Sequence, residues 1–301
     1  MTTAAHGPEQ RGVTDRVPAP ALFLVSGFTQ YAGAALAIGL FAVIPAASVA
    51  WWRLAVSAIV LLAWRRPWRQ SWTRRELVGA ALFGVVLATM NVVFYVAIEY
   101  LPLGTAVAIE FLGPVAVAAA KGRGWRDRLA IALAALGVVL LAGVQLEGGL
   151  TRDVLIGLLA ILGSAAAWAG YILLGRRIAV KRDGISALAV GMTAGALVYS
   201  PLAVGVLAPV LTDARRALAV LGIAVLSSVI PYAIEQLVLR RVTAARFAIL
   251  LALLPVTAAI IGAIFLQQVP TVVEGCGMVL VCAAIVLSAG RPVGPDNPLP
   301  G

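Results

Sequence analysis

LVGAALFGVVLATMNVVFYVAIEYLPLGTAVAIEFLGPVAVAAA, residues 77–120, decides what kind of molecule this is. Two apolar runs, 77–98 and 103–120, are separated only by the joint Glu99-Tyr100-Leu101-Pro102. Each is close to the roughly 20 residues a helix needs to cross about 30 Å of hydrocarbon. Neither is a barrel strand, which alternates and runs about 10 residues, and backbone groups in lipid must be paired internally, so both are predicted to be helices.

Outward from this stretch the pattern continues. Further apolar segments fall near 21–42, 46–64 and 129–146, then near 154–175, 186–208, 217–239, 243–266 and 272–290. The expected fold is an all-α membrane protein of ten transmembrane helices. Of 301 residues, 62% are hydrophobic and 12% charged, against about 25% charged in soluble domains, which excludes a water-soluble globule. The net charge of +10 does not point to nucleic acid, because the basic residues sit between apolar runs and form no polar domain. The expected partners are the lipid bilayer and a small-molecule substrate.

Those basic residues set orientation. One set of connections holds Arg65, Arg66, Arg69, Arg74, Arg75, Lys121, Arg123, Arg126, Arg128, Arg176, Arg177, Lys181, Arg182, Arg240, Arg241 and Arg246; the opposite set holds Arg152, Arg215 and Arg216. With Arg11, Arg16 and Arg291 from the tails the bias is 19 to 3, so both termini are predicted cytoplasmic. Met1–Pro20 has no h-region or cleavage motif and reads as a disordered tail, with a second short tail at 291–301. Cys276 and Cys282 are six apart on one helix and point to different faces, so no disulfide is expected between them.

The two halves resemble one another at a shift of about 140 residues. Tyr31-Ala32-Gly33 matches Trp168-Ala169-Gly170, and Pro114 matches Pro255. Five spans per copy is an odd number, so tandem units at 21–148 and 149–290 must enter the bilayer from opposite sides. Two inverted five-helix repeats around a midplane site are the architecture of secondary transporters.

Glu110 lies in the middle of the span 103–120, where an ionised carboxylate costs at least about 2.5–3.5 kcal/mol unless a cavity, cation or proton meets it. Pro114 cannot donate to the carbonyl of Glu110, and Gly113 lets the chain open there. Asn91 and Tyr95, four apart, share one helix face. The alternative is structural, with Glu110 bonded to Asn91 or Arg53 to lock helices together. Arg53, a cation inside the predicted span 46–64, either meets a substrate carboxylate or snorkels as an anchor. Pro231, Tyr232 and Glu235 form a polar patch in which Pro231 frees the carbonyl of Ser227; Glu235 is either interfacial or on the pathway. Span nine breaks at Pro255 but carries Leu251 where span four has Glu110. Gln30, Tyr31 and Trp168 occupy matching positions and either line a cavity or pack. Gly191-Met-Thr-Ala-Gly195 fits close helix packing and is compatible with a homodimer, leaving oligomeric state open.

No phosphate loop is present, His6 is the single histidine, and no nucleophile elbow occurs, so no cofactor, metal site or enzymatic activity is expected.

These residues resemble the drug/metabolite transporter superfamily, in particular its ten-helix EamA-type members. Phe94-Tyr95, Pro102-Leu103-Gly104 and Ala108-Ile109-Glu110-Phe111-x-Gly113-Pro114 look most like the bacterial threonine/homoserine exporter group, and Ile230-Pro231-Tyr232-x-x-Glu235 is similar to it too. The resemblance implies a multi-pass carrier of the bacterial cytoplasmic (inner) membrane that exports small amino acids or related metabolites in exchange for protons. Members often carry Glu-Pro in span nine and Gly-Glu at its end; here stand Leu254-Pro255 and Gln267-Gln268, which shifts the expected coupling role to Glu110. A multidrug or nucleobase-type carrier of the same fold is the first alternative, and a non-transporting membrane scaffold the remote one.

Overall fold

A computed structural model describes residues 17–120, 124–178, 184–239, 242 and 244–289. The expected tails, apart from residues 17–20, and the basic residues Lys121, Arg123, Lys181, Arg182, Arg240 and Arg241 lie outside the described residues. The chain is all-helical over the described residues. In order it forms α1 (Ala19–Leu40), α2 (Ala46–Arg65), α3 (Arg74–Tyr100), α4 (Leu103–Glu110), α5 (Leu112–Ala120), α6 (Trp125–Leu146) and α7 (Arg152–Ile178). There follow α8 (Gly184–Val198), α9 (Leu207–Leu211), α10 (Ala214–Ala224), α11 (Ile230–Leu239), α12 (Ala244–Leu250), α13 (Leu253–Phe265) and α14 (Val272–Ala289).

Among the described residues, six helices are long and apolar enough to cross a membrane: Ala19–Leu40, Ala46–Arg69, Arg74–Tyr100, Trp125–Leu146, Arg152–Leu174 and Ala214–Glu235. Shorter apolar helices occupy Leu103–Ala118, Gly184–Val198, Leu253–Phe265 and Val272–Ser288.

Local chemistry sets the helix starts. Pro18, Pro45 and Pro102 immediately precede α1, α2 and α4, where a missing N–H costs nothing because the first-turn donors have no helical partner. α3 opens with a capping box, Thr73 Oγ1 accepting from the Glu76 amide at 3.3 Å while Glu76 accepts from the Thr73 amide at 2.8 Å. The segment expected at 186–208 is shorter than predicted. α8 stops at Val198, and a turn at Ser200–Ala203 and Gly205 at φ +79° intervene before α9. Pro201 has no N–H to continue the ladder, and Gly205 supplies the left-handed step.

Small residues let the helices touch. A Cβ at Gly84 on α3 would overlap the backbone carbonyl of Gly191 on α8, and one at Gly195 would lie 2.6 Å from the Ala88 Cβ. The Gly191–Gly195 face is thus occupied inside the chain, against α3. Gly113 does the same for α5: a Cβ there would overlap the carbonyl of Ala165 on α7. We expect Gly84→Leu to lower the melting temperature of the purified protein by about 5 °C or more, since over-packing costs about 1–3 kcal/mol. Gly39→Leu, at a site with nothing within 4 Å, is the control expected to leave it unchanged.

Candidate functional site

The helices border a cavity of about 110 Å³. α1 contributes Gln30 and Tyr31, α2 Arg53, α3 Asn91 and Phe94, and α4 its last residue, Glu110. Trp168 and Tyr171 enter from α7, Tyr232 and Glu235 from α11, and Leu251 from the break before α13. Eight of the nine candidate side chains therefore converge. Tyr95 is the exception; it is fully buried and stands behind Arg53.

Arg53 is only 5% exposed and is held inward, so it does not snorkel. Its Nη1 donates to the Tyr95 hydroxyl at 3.3 Å, its Nη2 donates to Asn91 Oδ1, and its Cζ lies 5.1 Å from the Tyr95 ring centroid. Asn91 Nδ2 donates to the Leu87 carbonyl at 2.7 Å, which fixes the amide with its oxygen toward the guanidinium. The i,i+4 pair on α3 thus grips an arginine, a role the sequence spacing alone did not reveal. Among the described residues Arg53 Nε has no hydrogen-bond partner. A guanidinium fork with an unused donor suits a carboxylate.

Glu110 has the opposite character. Among the described residues it accepts one side-chain hydrogen bond, from Ser164 Oγ on α7. The sequence alternative, a bond to Asn91 or Arg53, is not present among the described residues. Glu274, also buried, makes the contrast. Glu274 accepts from Thr105 Oγ1 at 3.1 Å, Gln145 Nε2 at 3.0 Å, and the Thr271 amide and hydroxyl at 2.9 and 3.0 Å. A carboxylate has about four acceptor positions, so Glu274 is saturated and serves as a capping and bracing group. Glu110 keeps unused acceptor capacity on a cavity wall. The second cavity, about 180 Å³ beside Glu274, offers no such free carboxylate.

The proline breaks position these groups. α4 ends at Glu110 and α5 begins at Leu112, so the break falls at Phe111, three residues before Pro114 with its missing N–H. α12 and α13 are interrupted at Leu251–Ala252, four and three residues before Pro255; here the Leu251 carbonyl is taken by the Leu254 amide at 3.0 Å. Around Pro231 the chain solves the missing donor differently. Residues Val225–Val229 form a π-turn in which the Ile230 amide reaches the Val225 carbonyl. Such turns recur at functional sites. Ser227 Oγ then donates to the Gln30 carbonyl at 3.0 Å, tying α1 to the turn. Glu235, at the end of the apolar span Ala214–Glu235, also lines the cavity, and Ser26 Oγ lies 3.5 Å from it.

Trp168 packs edge-to-face on Phe111 with centroids 4.7 Å apart, and Tyr171 meets Phe83 at 4.5 Å. Ser164 and Tyr171 were not singled out from sequence: a serine or tyrosine in an apolar, Ala- and Gly-rich helix carries no spacing signal of its own. Among the described residues no group of three or more His, Cys, Asp or Glu could hold a metal ion.

The cavity thus gathers ionisable and hydrogen-bonding side chains among otherwise apolar helices. Residues 155–290 match the EamA-like transporter family. The chain is 34% identical over 282 residues to the threonine/homoserine exporter RhtA of Salmonella typhimurium, covering 93% of this chain and 94% of that protein. It is 33% identical over 263 residues to the RhtA of Escherichia coli K12, covering 87% and 88%. A solved crystal structure superposes with a TM-score of 0.59 at 18% identity, over 89% of this chain and 96% of its own, a likeness of fold alone. The chain belongs to the EamA-like transporter family. It is a multi-pass membrane transporter and not an enzyme.

Proposed function

We propose that this chain exports small zwitterionic amino acids of the threonine/homoserine kind in exchange for protons. One observation carries the assignment: Arg53, with an unpaired Nε, and Glu110, with unused acceptor positions, face the same cavity of about 110 Å³. Arg53 takes the substrate carboxylate, and Glu110 takes either the substrate ammonium or a proton. Competition between the two at one carboxylate couples the fluxes. Asn91 and Tyr95 position the guanidinium, while Gln30, Tyr31, Trp168 and Tyr232 shape the remainder of the wall. Glu235 is a second proton or cation acceptor in the same space. The threonine/homoserine exporters at 33–34% identity support the substrate class. The drug-carrier alternative is disfavoured by size, since sites for drug-sized ligands run about 300–1,000 Å³.

Alternating access needs two units that rock about this cavity. The reading that fits is ten spans in two inverted repeats, 21–148 and 149–290, in the bacterial inner membrane with both termini cytoplasmic. Supporting it are the matched interruptions before Pro114 and Pro255, whose residues Glu110 and Leu251 both line the cavity, and the 19 to 3 bias of basic residues. The family match at 155–290 falls within the second unit.

A strain sensitive to inhibitory threonine and homoserine tests the substrate. Cells expressing the chain are expected to grow on both amino acids and to release preloaded labelled threonine from vesicles faster under a pH gradient. Growth rescue on cationic drugs but on neither amino acid would replace this assignment with the drug-carrier one.

A further inference from the structure

Ser164 has one hydroxyl hydrogen and two acceptors. Its Oγ lies 3.0 Å from the Met90 carbonyl on α3 and also contacts Glu110 Oε1. The side chain is fully buried, so no solvent can supply a second donor. A hydroxyl donates once and accepts on its lone pairs, and that asymmetry makes its orientation depend on what Glu110 carries.

We propose that Ser164 is a positioning residue that reports the proton on Glu110 to helix α3. With Glu110 ionised, the Ser164 hydrogen turns to Oε1 and the Met90 carbonyl loses it. When Glu110 takes up a proton, its new O–H donates to Ser164 Oγ, and the Ser164 hydrogen swings to the Met90 carbonyl. One proton enters, no bond to carbon changes, and every donor keeps an acceptor in both states. Met90 is the residue before Asn91, whose amide oxygen holds Arg53. Proton uptake at one end of the cavity thus adds a bond between α7 and α3 at the place where α3 grips the carboxylate-binding arginine. This inference rests on the proton-exchange assignment above and adds the route by which the proton site is sensed.

The other titratable or charged groups around Glu110 are Tyr31 on α1, Arg53 on α2, Tyr171 on α7, and Tyr232 and Glu235 on α11. Among the described residues none of them is hydrogen-bonded to Glu110, so Ser164 is the direct lever on its proton.

The test uses the full-length purified protein and a hydrophobic carbodiimide, which modifies protonated carboxyls, with Glu110 labelling followed by mass spectrometry as pH is varied. E110Q gives the background. The donor supplied by Ser164 favours the ionised form, so in S164A the labelling midpoint is expected to move to higher pH by about one unit or more. S164T, which keeps the hydroxyl, is expected to return it toward the wild-type midpoint. A residue that merely packed would change yield or stability and leave the midpoint in place. An unchanged midpoint in S164A, or no labelling of Glu110 at any pH, overturns the proposal. Labelled-threonine exchange in vesicles from the same preparations separates the two assignments: a shifted midpoint without threonine flux leaves the switch standing and removes the substrate.

Discussion

Arg53→Met is expected to reduce threonine flux in reconstituted vesicles by about 100-fold or more while the protein still elutes as a folded species. Truncating one partner of a buried, hydrogen-bonded charge pair costs about 2–5 kcal/mol, which converts to roughly 30- to several-thousand-fold in affinity. The loss should appear mainly as a raised KM, since the guanidinium is assigned to binding the substrate carboxylate. Arg53→Lys separates charge from geometry. A lysine ammonium keeps the charge but cannot hold Asn91 and Tyr95 and still present a planar donor edge, so it is expected to recover only a small part of the flux. Full activity in Arg53→Lys would mean that the fork built on α3 is irrelevant, and full activity in Arg53→Met would remove Arg53 from the site.

Glu110→Gln is the second large effect. Glutamine keeps the shape but can neither bind a proton nor attract an ammonium. Flux driven by a pH gradient is expected to fall to the level of empty vesicles. The pH dependence has a definite sign. If protons and ammonium compete for Glu110, the apparent affinity for threonine on the binding side falls as pH is lowered. It does so by about tenfold per unit once the carboxyl is mostly protonated. In Glu110→Gln the residual affinity should be flat with pH. A variant that retains gradient-driven flux would assign coupling elsewhere, with Glu235 the next carboxylate on the cavity wall.

Much of this arrangement is legible in the chain because the bilayer imposes a simple rule. Runs of apolar residues must be helical, and prolines inside them must interrupt the ladder, so Glu110–Pro114 and Leu251–Pro255 could be placed before any coordinates. The convergence of Gln30, Tyr31, Arg53, Asn91, Glu110, Trp168, Tyr232 and Glu235 follows from polar side chains in lipid facing inward.

Other features depend on contacts between distant parts of the sequence. Asn91 and Arg53 are 38 residues apart and Ser164 and Glu110 are 54 apart, and no periodicity links either pair. A π-turn inserts one residue into the helical repeat and rotates everything after it, so a face counted at 3.6 residues per turn is wrong beyond Val229. Glu274 carried a readable signature, Thr271 three residues before it as in other capping boxes, and its role is structural.

Proton release on substrate binding tests the competition at Glu110 most directly. Threonine is added to the purified chain in weakly buffered detergent solution, at a pH where Glu110 is largely protonated, and the proton count is read with a pH dye. The account predicts release of about one proton per threonine bound in the wild type, and none in Glu110→Gln. Threonine that binds the wild-type chain without releasing a proton would contradict it.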